Sequence, residues 1–313
     1  MLGEFLAGLA LVFYAVNIIL AKYGSGRIAV STGFLVSVAV NVVFSAALAL
    51  MQLGWRTTPL VWNWHGILFF LLAGVFSTYL GRWFFFESVA RFGPARASIF
   101  QISVPVFTVL LASVFLGERL PSAALAGLAL AVLGLLMVVY IPGAFARHRA
   151  APKRAETAVA TRLTVLKWMF QSSVILGFSA GMAYAVGNVL RGNALGSWDE
   201  PIIGGLLGAI SGIVLHVLSS PRPPLLWQEV KEADRRGVMI FAATGVLNIS
   251  AQILIIASLR YSAVSITTMI ASCVPILVIP MSYFLFRNQE VISARTICGT
   301  LLALAGITLI LLR

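Results

Sequence analysis

Val104-Pro105-Val106-Phe107-Thr108-Val109-Leu110-Leu111 (residues 104–111) has a counterpart in Val274-Pro275-Ile276-Leu277-Val278-Ile279-Pro280-Met281 (residues 274–281). Each stretch lies inside an apolar run, and the two Val-Pro steps stand 170 residues apart. The same offset carries Tyr14-Ala15-Val16 onto Tyr184-Ala185-Val186, Ala10 onto Ala180, Leu20 onto Leu190 and Gly26 onto Gly196. Past a two-residue insertion near Arg287–Gln289 the offset becomes 172, and Glu118, Gly127 and Gly134 fall on Glu290, Gly299 and Gly306. One such match is chance. A shared offset in a shared order is a duplication.

What is duplicated follows from hydropathy. A bilayer core of about 30 Å takes roughly 20 apolar residues as a helix. Ten such runs are present, near 3–22, 30–53, 66–89, 95–116, 122–142, 169–191, 201–219, 237–258, 263–286 and 291–312. Lipid offers the backbone no hydrogen bonds, so spans of this length are helices; barrel strands are about half as long and alternate. Each copy holds five helices, an odd number, so the second copy enters the membrane from the opposite side. The expected fold is an all-α membrane protein of ten transmembrane helices, arranged as two inverted-topology five-helix repeats. Residues 1–142 form the first repeat, 143–168 a basic linker and 169–313 the second repeat. Inverted repeats are the architecture of many secondary transporters.

Composition agrees. Of 313 residues 60% are hydrophobic and 10% charged, where a soluble domain carries roughly 25% charged. Mean hydropathy is +0.99. These values exclude a soluble enzyme, a disordered chain and a nucleic-acid-binding domain. The net charge of +12 reads as basic loops beside anionic lipid headgroups. Cys273 and Cys298 make neither a disulfide framework nor a metal motif, and no cofactor is expected. No cleavable signal peptide is evident, because the first apolar run lacks a basic leader. Trp55, Trp62, Trp64, Trp168, Trp198 and Trp227 fall at run ends, where indoles suit the headgroup layer. Residues 225–236 have the spacing of a short amphipathic helix on the headgroups, or of a solvated loop. Gly204, Gly208 and Gly212 give small-xxx-small steps for close packing, within the chain or in a dimer.

The run Ala90-Arg91-Phe92-Gly93-Pro94-Ala95-Arg96-Ala97-Ser98, then Val104-Pro105, Gly117-Glu118-Arg119-Leu120 and Gly127…Gly134 resembles the EamA-like branch of the drug/metabolite transporter superfamily. The second copy runs Ser258-Leu259-Arg260-Tyr261-Ser262-Ala263, Val274-Pro275, Glu290 and Gly299…Gly306, and departs at Arg287-Asn288-Gln289, where a Gly would precede the Glu. The resemblance implies a ten-helix carrier of small metabolites, often an exporter in a bacterial inner membrane. It also implies a central cavity lined by the first, third, fourth, sixth, eighth and ninth helices.

Arg82 is the one basic residue that reads as well inside a span. A buried Arg costs about 2.5–3.5 kcal/mol on insertion scales, so it needs a partner or a wet cavity. Its planar fork suits a carboxylate or phosphate; a pair with Glu87 and snorkelling to an interface are the structural alternatives. Its repeat equivalent is Gln252, also polar and mid-span. Asn17, Tyr79, Gln101, Asn188 and Asn248 complete the substrate-binding candidates, against the alternative of hydrogen bonds between helices. Tyr14, Tyr184 and His216 read as packing. Glu87 is a candidate for proton coupling, since apolar surroundings raise a carboxyl pKa, or an (i, i+4) partner for Arg91. Pro105 and Pro275 are candidate hinges, as Pro removes a backbone donor and kinks a helix. No nucleotide-binding loop or HExxH motif is present.

Sixteen Lys and Arg lie in odd-numbered connections and five in even-numbered ones and the tail, Arg191 among the five. The positive-inside rule puts the odd connections in the cytoplasm and both termini outside. The sequence thus predicts a secondary active transporter of a small polar or anionic metabolite such as an amino acid, working by alternating access and, by the resemblance, as an exporter. It would act in the lipid bilayer as a monomer or homodimer, without nucleic-acid partners. A flippase for a lipid-linked anion is the alternative, and a membrane enzyme or receptor a third.

Overall fold

Where backbone amides meet hydrocarbon they bond to each other, and every regular element among the described residues is helical. The computed structural model describes residues 2–57, 59–115, 173–220, 223–286 and 294–311, with shorter pieces between 117 and 137. The linker 143–168, most of the fifth run, Trp168, Glu118 and Arg287–Glu290 lie outside the described residues.

The helices are α1 (Leu2–Ser25), α2 (Val30–Trp55), α3 (Trp64–Ala73), a π-helical segment (Gly74–Gly81), α4 (Arg82–Phe92), α5 (Pro94–Phe100) and α6 (Ser103–Phe115). They continue as α7 (Ser173–Ser197), α8 (Pro201–Ser219), α9 (Pro223–Glu232), α10 (Arg235–Ser258), α11 (Val264–Ser272), α12 (Pro275–Leu285) and α13 (Ala294–Leu311). Among the described residues, seven stretches are long and apolar enough to cross a bilayer: Leu2–Ser25, Val30–Trp55, Trp64–Arg91, Ala97–Phe115, Pro201–Ser219, Arg235–Ser258 and Val264–Leu285. Helix α7, 25 residues long, packs among them. The amphipathic stretch is helical: α9 buries Leu226 and leaves Trp227 exposed under Lys231, whose Nζ is 5.6 Å from the ring centroid.

Polar contacts sort the helix ends onto two faces of the bundle. On one, Lys22 Nζ donates to the Ala90 carbonyl at 3.2 Å, and Arg27 pairs with Asp234 at 3.1 Å. The Arg27 hydrogen bond holds the Asp234 carboxyl below its ordinary range. On the other face, Arg56 and Gln52 both hold Glu200, Asn63 Nδ2 donates to the Ser197 carbonyl at 3.0 Å, and Ser258 Oγ donates to the Gly3 carbonyl at 2.8 Å. Packing is reciprocal between the halves. Helix α1 lies along α10 as α7 lies along the third span, and α2 meets both α8 and α10 as α8 meets both α2 and the third span.

Small residues permit these approaches. A Cβ on Gly74 would stand 2.6 Å from the Gly208 backbone, and one on Gly212 would stand 2.7 Å from Thr78. The Gly204, Gly208 and Gly212 face therefore packs within the chain, against the third span. Gly93, at φ 84°, turns the chain between α4 and α5, and Pro94 opens the next helix, lacking only an N–H that a first turn would leave unpaired anyway.

Three sequence expectations need correction. Trp198 is no headgroup indole: it is 6% exposed, its Nε1 donates to the Val61 carbonyl at 2.9 Å, and it plugs the gap over Gly66. Trp55 and Trp64, each 81% exposed, do face outward. Arg191 belongs to no connection, because α7 continues six residues beyond it. Arg82 is accordingly not the one basic residue inside a span, and it does not pair with Glu87, which takes Arg91 at 2.9 Å.

Candidate substrate cavity

Two spans are interrupted at matching places. The fourth breaks at Gln101–Ile102, between α5 and α6, and the ninth at Cys273–Val274, between α11 and α12. Both breaks adjoin a Val-Pro step. Pro105 and Pro275 have no N–H to return to the carbonyls four residues back, those of Gln101 and Ala271. The third span is deformed differently. It widens into the π-helical turn Gly74–Gly81 and resumes α-helical geometry at Arg82. Single π turns within α-helices are frequent at functional sites.

These irregularities surround a cavity of about 650 Å³, its mouth included. Its walls come from α1, α4, the α5–α6 break, α7, α10 and the α11–α12 break. Numbered by the apolar runs of the sequence, these belong to the first, third, fourth, sixth, eighth and ninth, the set the resemblance implied.

Arg82 faces this cavity from α4 and is 1% exposed. Its Nη2 donates to Ser37 Oγ. Its Nη1 donates at 2.7 Å to Asn41 Oδ1, in the amide orientation that also lets Nδ2 donate to the Gly245 and Ser37 carbonyls. The guanidinium stands 5.0 Å from the Phe86 ring centroid and 6.0 Å from that of Phe34. Its Nε has no partner among the described residues.

Arg191 faces the same cavity from α7 and is 4% exposed. Its Nη2 donates to Ser77 Oγ in the π-helical turn and to Gln252 Oε1 at 2.9 Å. Its Nη1 reaches Asn188 Oδ1 at 3.4 Å, and Asn188 Nδ2 in turn reaches Thr268 Oγ1 at 3.4 Å. Thr78 Oγ1 donates to the same Gln252 oxygen at 3.3 Å. Among the described residues no carboxylate forms an ion pair with either arginine.

The structure brings together Arg82, Asn17, Gln101, Asn188 and Asn248 on the cavity wall, where Asn17 Oδ1 is also without a partner. Gln252 stands behind the wall and holds Arg191. Tyr79 points elsewhere: its hydroxyl donates to Ser219 Oγ at 2.6 Å. Glu87 does not reach the cavity and stays at the end of α4 with Arg91. His216 is buried, its ring centroid 4.8 Å from that of Phe34 and 5.6 Å from that of Trp83. Sequence reasoning missed Arg191 as a site residue, and it read Tyr14 and Tyr184, which both line the cavity, as packing. Hydropathy gave no signal for Arg191, because Gly192-Asn193 ends the apolar run beside it.

The EamA-like transporter family model matches residues 1–140 and 171–312. The chain belongs to the EamA-like transporter family. It is thus an integral membrane transporter of small molecules. Membership in a family that is generally non-enzymatic favours a carrier over an enzyme. A protein solved by crystallography is similar over 99% of this chain and 98% of its own, with a TM-score of 0.63 and 15% identity, a likeness of fold. No curated protein matches the chain in sequence.

Proposed function

We propose that this EamA-like protein is a secondary active exporter of a small anionic metabolite, and that Arg82 anchors the substrate's acidic group. The observation that carries this is a guanidinium 1% exposed, facing a cavity, with its Nε unbonded and no carboxylate partner among the described residues. Such a charge is costly in a low-dielectric site, and a bound carboxylate or phosphate would offset the cost through charge-assisted hydrogen bonds. Asn17, Gln101, Asn188 and Asn248 supply neutral polar contacts for the rest of the ligand.

Alternating access is the mechanism we favour, on ten helices in two inverted repeats, residues 1–142 and 169–313. The reciprocal packing of the halves supports this. So do the matched breaks beside Pro105 and Pro275, which serve as hinges. Phe115 and Ser173 also stand at opposite faces of the bundle, as two five-helix units of opposite orientation require. With Arg191 inside a span, the Lys and Arg count becomes sixteen against four. That supports cytoplasmic odd connections and outward termini in a bacterial inner membrane. The small-residue face of α8 is occupied within the chain, which supports a monomer as the working unit. Glu87 lies off the cavity, so a proton coupled to transport is taken up elsewhere.

A thermal-shift screen of purified protein against metabolites, run on wild type and Arg82→Ala, tests the reading. A ligand at 100 times its Kd stabilises the folded state by about 2.7 kcal/mol. An anionic compound should raise the wild-type melting temperature and leave the folded variant unmoved. Equal shifts in both proteins would make Arg82 structural.

A further inference from the structure

Arg82 is one of two such groups. Arg191 is 4% exposed and faces the same cavity, and among the described residues each guanidinium is held by neutral atoms. Neutral oxygens solvate a cation without cancelling its charge. The cavity therefore carries two positive charges in a setting that penalises each of them until an anion binds.

The two cations are also tethered separately. Ser37 and Asn41 on α2 hold Arg82. Ser77 in the π-helical turn and Gln252 on α10 hold Arg191. On α10 the Gly245 carbonyl takes the amide of Asn41, which holds Arg82, while Gln252 holds Arg191; seven residues of helix put these two anchors about 10 Å apart, so the cations form two subsites rather than one fork on a single oxyanion. The same cavity wall carries an aromatic and aliphatic surface, with Tyr14, Ile18, Phe85, Phe86 and Tyr184.

We infer that the cavity takes a small dianion with two separate acidic groups, one bound by Arg82 and the other by Arg191, joined by a short body that lies on the aromatic wall. Short dicarboxylates have this chemistry, and phosphorylated carboxylic acids share its two separate acidic groups with up to one further charge on the phosphate near pH 7. The inference rests on the carrier reading and adds a second anchor and a charge of two to it.

The test is binding to full-length protein in detergent, by thermal-shift titration, of glutarate, glutarate monomethyl ester and 3-phosphoglycerate. Wild type, Arg82→Gln and Arg191→Gln are compared, each with its unliganded melting curve recorded. Loss of one charge-assisted contact is worth about tenfold or more in affinity. Wild type should bind at least one of the two diacids, glutarate or 3-phosphoglycerate, about tenfold more tightly than the monoester. Whichever diacid shows this margin identifies the chemistry of the second acidic group. Each variant should bind that diacid and the monoester alike. A wild type that prefers neither diacid overturns the inference without needing any variant, as does Arg191→Gln that keeps the full margin.

Counterflow in proteoliposomes separates this failure from failure of the carrier reading. Vesicles that exchange monoanions as well as dianions remove only the two-charge inference. Vesicles that exchange no acidic metabolite remove the carrier of anions itself.

Discussion

Arg82 and Arg191 are the same kind of residue in the same kind of place, yet only one was legible in the sequence. Arg82 interrupts a run that is apolar on both sides. Arg191 is followed by Gly192-Asn193, so hydropathy ends the span too early. Its true depth is set by packing. Gly187, whose added Cβ would stand 2.5 Å from that of Ser77, brings α7 against the π-helical turn, and the Arg191 side chain follows. The partners of Arg82 were equally hidden, since Ser37 and Asn41 lie on a helix that sequence spacing does not connect to it. A buried charge without a counter-charge serves binding at the expense of stability. Arg82→Met should therefore stabilise the empty protein by roughly 2 kcal/mol, seen as a higher unliganded melting temperature, while abolishing the shift produced by ligand. Destabilisation of the empty variant would show that Arg82 holds the helices together.

At the scale of the element, proline was readable and the π-helix was not. Val104-Pro105 and Val274-Pro275 mark where hydrogen bonds fail, and the chain breaks beside both. Pro275 opens α12, and Pro105 is the third residue of α6. Both spans are thus pairs of half-helices joined at the cavity wall, more sharply divided than a simple kink. The turn Gly74–Gly81 has no comparable signature. It arises where the third span must pass Gly187 and Gly208 at close range, which is a property of the neighbours. Interior proline disfavours a continuous helix by about 3 kcal/mol. Pro105→Ala and Pro275→Ala should each favour the straight span. Binding affinity in detergent should stay near wild type, and the rate of exchange in proteoliposomes should fall several-fold or more. A variant that exchanges at the wild-type rate would make the breaks static shapes of the cavity wall.

The whole molecule follows from facts that no single helix carries. The duplication was visible as an offset of 170 residues, and an odd number of runs per copy made inversion the expected consequence. The membrane, the family and the helices that line the cavity were legible before any coordinates. The depth of Arg191, the inward plug of Trp198 and the position of Glu87 off the cavity required the packed structure. If the cavity holds two uncompensated cations when empty, reorienting it empty is costly and reorienting it loaded is not. Exchange of one anion for another should then outpace net release. The most direct measurement is efflux of a labelled dianion from proteoliposomes, with and without the unlabelled dianion outside. The account predicts saturable efflux, accelerated by the outside dianion and lost in both Arg82→Gln and Arg191→Gln. Saturable efflux that persists unchanged in both variants would contradict it.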